Sequence, residues 1–202
     1  MEKIILRHID FEKCSSYLLL SGFLWIVSVA LVPVKSIPQK PFQSALHFIE
    51  VYLSFYIYLG FVKFSILQKK DSLRKLVFAA MAFSVIQTSI AMIATLVENK
   101  ELYNYIGVPV AIESILLFFA FKSVQDVKTI YFNKLSRLYL YLSFFYIPTS
   151  VALLFGRETL KKAMPQILIK PFVILALLWA VLIVYAWYLK IRVFKQISTQ
   201  VF

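Results

Sequence analysis

The sequence predicts an all-α membrane bundle of six transmembrane helices, with both termini on the cytoplasmic side. Three observations lead there. Of 202 residues, 61% are hydrophobic and 16% charged, whereas soluble domains carry about 25% charged residues. The apolar residues come in long blocks, and a run of about 18 or more with few charges reads as a spanning helix. Basic residues gather at alternate connections between those blocks, the positive-inside pattern of a chain that crosses the bilayer repeatedly.

Residues 1–15 form a basic N-terminal segment with Lys3, Arg7 and Lys13. The first span, 16–34, follows. Its basic flank and the stretch 28–30 (SVA) resemble a cleaved signal peptide. The stretch also recurs later in the chain, which argues that it stays. Residues 35–43 carry Pro38 and Pro41 and break the helix before the second span, 44–67. A polar turn at 68–72 leads into the third span, 73–97, and residues 98–101 into the fourth, 102–122. A longer link at 122–134 precedes the fifth span, 135–155. A break with Gly156 and Pro165 separates it from the sixth, 167–190, and residues 191–202 are a cytoplasmic tail.

The net charge of +12 is topological. Lys69, Lys70, Arg74 and Lys75 form the second inner cluster. Lys122, Lys128, Lys134 and Arg137 form the third, and Lys190, Arg192 and Lys195 the last. With the N-terminal group these hold fourteen of the 22 basic residues, against seven at the outer connections. No basic–aromatic motif accompanies them, so nucleic acid is not an expected partner. The expected surroundings are the lipid bilayer, in a cell (plasma) membrane, and other membrane subunits or further copies of the chain.

An internal repeat underlies the six spans. Residues 17–32 (YLLLSGFLWIVSVALV) match 139–154 (YLYLSFFYIPTSVALL) at nine of sixteen positions, and 78–93 lies halfway between. Residues 49–58 (IEVYLSFYIY) parallel 112–121 (IESILLFFAF). Residues 171–175 (PFVIL) parallel 109–113 (PVAIE), with Leu175 in place of the glutamate. Three tandem helix pairs of about 61 residues predict parallel repeats about an axis along the membrane normal. They also predict a split into inner and outer helices. Ser28, Ala30, Ser89, Ala91, Ser150 and Ala152 recur at equivalent places in the odd spans, and small side chains let helices approach closely in lipid. In layout the chain is similar to the HdeD-like family of small bacterial membrane proteins. It has only four glycines, where that family is rich in intramembrane glycine, and no residue role carries over.

Glu50 and Glu113 are the main functional candidates. A charge at the centre of a spanning helix costs on the order of 3 kcal/mol on insertion scales, so such residues face the bundle or a wet cavity. Two carboxylates at one depth would bind a proton or a cation. Alternatively they fix packing through neutral hydrogen bonds. Gln87, Thr88 and Thr149 are polar groups able to complete such a site. His47, one turn before Glu50, shares its face and suits sensing of external pH. It adds too few ligands for a closed metal site. His8 lies on the other side of the membrane, which excludes a bis-histidine haem within one chain. Cys14 is the only cysteine, so an intrachain disulfide is impossible.

Lys63 lies 13 residues beyond Glu50 on nearly the opposite face, and is expected to reach the inner headgroups. Tyr52, Phe55, Tyr56, Tyr58 and Phe61, with Phe118, Phe119 and Phe121, form an aromatic stretch suited to packing or to an apolar ligand. No phosphate-binding glycine loop, zinc-protease motif or nucleophile elbow is present, and no cofactor or enzymatic activity is expected. The first functional expectation is a non-enzymatic subunit or modulator of a membrane assembly. The alternatives are a small proton- or cation-coupled transporter or channel using Glu50 and Glu113, or a lipid- or quinone-handling enzyme.

Overall fold

A computed structural model describes residues 2–31, 39–97, 101–124, 130–155 and 169–200. These residues are helical almost throughout and contain no strand. The elements are α1 (Glu2–His8), α2 (Phe11–Leu31), α3 (Gln39–Leu67), α4 (Asp71–Val97), α5 (Gly107–Lys122), α6 (Ile130–Phe155) and α7 (Ile169–Gln200). Two of these helices are long and apolar enough to cross a membrane, over Phe42–Leu67 and Asp71–Val97. The expected breaks at 35–43, 98–101, 122–134 and 156–166 lie wholly or partly outside the described residues.

Local chemistry sets the helix ends. Asp10 caps α2, its Oδ1 accepting the Glu12 N–H at 2.8 Å, which satisfies one of the free amides of the first turn. At the α3–α4 turn Lys69 is left-handed, with φ 53°. The Lys70 N–H returns to the Ser65 carbonyl at 2.9 Å, the closing bond of a Schellman turn. The expected fourth span divides into a 3-10 turn, Leu102–Tyr105, and α5. Pro109 stands in the first turn of α5, where its missing N–H costs nothing. The last helix runs ten residues past the expected end of the sixth span, because neither glycine nor proline interrupts 191–200.

The helices form a closed ring. Each of α2 to α7 packs on its neighbours in the chain, and α7 packs back on α2. Odd and even helices therefore alternate around the ring, where the sequence suggested inner and outer sets. Short connections force consecutive helices to lie antiparallel and side by side, and six of them in series close most simply as a ring.

At the end that carries α1 and the α3–α4 turn, aromatic side chains fill the lumen. Phe61 meets Phe121 at 5.1 Å and Phe194 at 4.6 Å between ring centroids. Phe64 stacks on Phe132 at 5.2 Å, and Phe121 meets Phe132 at 5.9 Å. Phe61, Phe121, Phe132 and Phe194 are all buried. Each pair adds about 0.5–1.5 kcal/mol beyond its area, and together they tie α3, α5, α6 and α7 across the ring. Gly60 admits this packing. A Cβ there would stand 2.6 Å from the Cys14 Sγ and 2.8 Å from Phe194 Cε1.

The outer surface is apolar. Leu19, Phe23, Phe48, Tyr141, Phe144 and Val181 are all exposed. Of the most apolar stretch of α4, only 17% is buried, unlike a helix in the core of a water-soluble domain. The N-terminal helix is tied to this end of the ring. Lys63 Nζ donates to the Ile9 carbonyl at 2.6 Å and lies over the Phe11 ring. Tyr56 Oη donates to the His8 carbonyl at 3.3 Å and accepts the Asp10 N–H at 3.1 Å. Arg74 pairs with Glu2, and with Asp71 at 2.8 Å.

Candidate functional site

Above the aromatic layer the lumen widens into a polar cavity of about 230 Å³. Five of the six ring helices line it. Leu18 and Ser21 come from α2, and Glu50, Ser54, Ile57 and Tyr58 from α3. Ser84, Gln87 and Thr88 come from α4, Glu113 from α5, and Trp187 and Lys190 from α7. The helical repeat explains the selection: Glu50, Ser54 and Tyr58 recur every four residues, with Ile57 seven after Glu50, and so share one face of α3. Ser84, Gln87 and Thr88 do the same on α4.

One hydroxyl reaches across the lumen to Glu113: Tyr58 Oη donates to Glu113 Oε1, with Ser84 lining the cavity beside them. The bond joins α3 to α5, which α4 separates around the ring. Lys190 lines the same cavity as Glu113. Its ammonium lies over the Tyr139 ring of α6, 5.5 Å from the centroid, where the negative ring face attracts a cation.

Glu50 is half-buried, its side chain 25% exposed. His47 Nδ1 lies 3.3 Å from Glu50 Oε2, so the two form a pair one helical turn long. The buried Gln87 Oε1 has no hydrogen-bond partner among the described residues, which leaves an acceptor at the cavity wall. Thr88 Oγ1 donates to the Ser84 carbonyl at 2.9 Å. Among the described residues no three His, Cys, Asp or Glu side chains gather as metal ligands.

The structure thus brings together Glu50, Glu113, Gln87 and Thr88, with His47 against Glu50. It does not bring Thr149 there: its hydroxyl bonds the Phe145 carbonyl of its own helix at 2.7 Å. Of the small residues, Ser150 is buried, and a Cβ on Gly107 would meet its Oγ at 2.6 Å. That close approach joins α5 to α6, consecutive helices of the ring. Ala91 is buried and Ser89 half-buried on α4. The side chains of Ser28, Ala30 and Ala152 lie outside the described residues. The aromatic stretch splits between faces. Tyr58, Phe61 and Phe121 point inward, Tyr52, Phe55 and Phe119 outward, so it makes no continuous lining.

Lys190, Tyr58, Ser54 and Ser21 were missed by sequence reasoning. In sequence Lys190 falls in the inner basic cluster; its spacing of three from Trp187 on an unbroken helix is the signal that places both on one face. The comparisons add no identity: no family model, no curated protein and no solved structure matches this chain.

Proposed function

We propose that this chain is a six-span membrane protein, with both termini cytoplasmic and three repeated helix pairs, that carries protons or small monovalent cations through its lumen. The observation that carries the reading is the cavity itself, in which the two carboxylates singled out from sequence face one space. A bundle that only held helices together would have no use for two carboxylates, an orphan amide and four aliphatic hydroxyls around one cavity. Polar groups in such a bundle are costly unless a ligand or a partner satisfies them.

The membrane setting is supported by the apolar outer surface, which lipid satisfies, and by the alternating basic clusters. In this reading the repeated pairs are α2–α3, α4–α5 and α6–α7, taken in their order around the ring. Glu50 and Glu113 then stand on the second helix of successive pairs. In this scheme His47 and Glu50 receive the proton or cation first. Glu113, held by Tyr58, accepts it next, and the phenylalanine layer blocks leakage toward the cytoplasm.

The subunit or modulator reading comes second, since lipid alone can cover the outward side chains. Reconstitution of the full chain in liposomes tests the proposal. Wild type should pass protons or monovalent cations down an imposed gradient, and Glu50→Gln with Glu113→Gln should abolish the flux while sizing and helical content stay unchanged. Undiminished flux in the folded double variant would refute it.

A further inference from the structure

We infer that Lys190 sets the charge capacity of the cavity, restricting it to one proton or one monovalent cation and excluding divalent ions. This rests on the transport reading above. Among the described residues, Glu50, Glu113 and Lys190 are the charged side chains that line the cavity. Among these lining side chains, two carboxylates and one ammonium leave a single negative charge. One proton or one monovalent cation cancels it. A divalent ion would leave an uncompensated positive charge among closely packed helices, where unpaired charge is strongly disfavoured.

Lysine on α7 suits this role physically. Its charge is a compact point on a flexible stem, and the Tyr139 ring face, 5.5 Å away, holds it at the cavity wall. Trp187, one turn earlier, covers the same side of the lumen. The oxygen-rich remainder, Glu50, Gln87, Thr88 and the serines, is the ligand type that hard cations prefer. Without the ammonium, the same oxygens around two carboxylates would form a site for calcium or magnesium. Lysine is therefore what distinguishes this cavity from a divalent-cation site.

The test uses the purified full chain with sodium, potassium, calcium or magnesium chloride at matched ionic strength. Tryptophan fluorescence reports binding, since Trp187 lines the cavity, and liposome flux reports transport. Calcium should leave wild type and Lys190→Arg unaffected. In Lys190→Met, calcium should bind more tightly by a factor on the order of 100, because a positive charge a few ångströms from a divalent ion has been removed. Glu113→Gln in the Lys190→Met background should reverse this gain.

An equal calcium response in wild type and Lys190→Met overturns the inference, and so does calcium binding by Lys190→Met that survives Glu113→Gln. If Lys190→Met fails to fold, Glu50→Gln serves instead. There the lysine cancels the remaining carboxylate, and monovalent affinity should fall at least about tenfold; retained affinity overturns the charge count. Failure of the transport reading looks different: no cation-dependent flux in wild type, whatever occupies position 190.

Discussion

The hydrogen bond from Tyr58 to Glu113 offers the sharpest test of the ring, because it spans the lumen between helices that are not neighbours. Tyr58→Phe removes the donor, and Glu113→Met removes the acceptor at similar length. A bond to a charged group contributes about 1.5–3 kcal/mol in soluble proteins. Interhelical hydrogen bonds in membranes contribute less, about 0.6 kcal/mol on average and up to about 1.7, because the unfolded helices also find partners in lipid. Tyr58 is only 5% exposed and its partner is a carboxylate, which places this pair at the upper end. A double-mutant cycle should therefore give a coupling of about 1.5 kcal/mol, roughly a tenfold change in the unfolding constant. Unfolding in mixed micelles by a denaturing detergent, followed by circular dichroism, provides the four free energies. A coupling below about 0.3 kcal/mol, within ordinary additivity, would mean that Tyr58 and Glu113 do not meet, and the cavity geometry would fall with it.

Two further expectations concern the end of the ring that carries α1. Gly60→Ala should cost about 1–3 kcal/mol, the usual penalty of overpacking, because neither the Cys14 sulfur nor the Phe194 ring has room to withdraw. Cys14→Ala should restore part of that loss, and a Gly60→Ala protein as stable as wild type would refute this packing. Cys14, which precedes the first expected span, is fully buried. Burial first, and Asp10 second, push its thiol from 9.0 up to about 12. It should resist maleimide at pH 7.5 until the protein is unfolded, and prompt labelling of the native protein would contradict its burial. The same shift carries a sign. The folded state favours the neutral thiol, so this contribution is fully present below pH 9.0 and is lost as the pH rises toward about 12.

Helix positions were legible because continuous apolar runs and their Pro, Gly and charged breaks act locally on each segment's own backbone. Glu50, Glu113, Gln87 and Thr88 were legible for a related reason: a polar side chain in an apolar run is conspicuous whatever surrounds it. Lys190 was not, since a lysine near the end of an apolar run resembles an interfacial anchor until the helix is seen to continue to Gln200. Tyr58 was submerged in an aromatic stretch whose inward and outward members differ only by rotation about α3. Thr149 shows the converse, a polar residue that satisfied itself on its own helix.

The sequence by itself determined the helical class, the alternating basic clusters and which polar groups were unusual, because each is a property of one segment. Only the tertiary structure decided that the helices close in a ring, that five of them share one cavity, and that a lysine and two carboxylates occupy it together. Those facts depend on the rotation of each helix about its axis and on which helices become neighbours. Side-chain packing across the lumen sets both, with Phe61, Phe121, Phe132 and Phe194 at its centre, and no single segment contains that information.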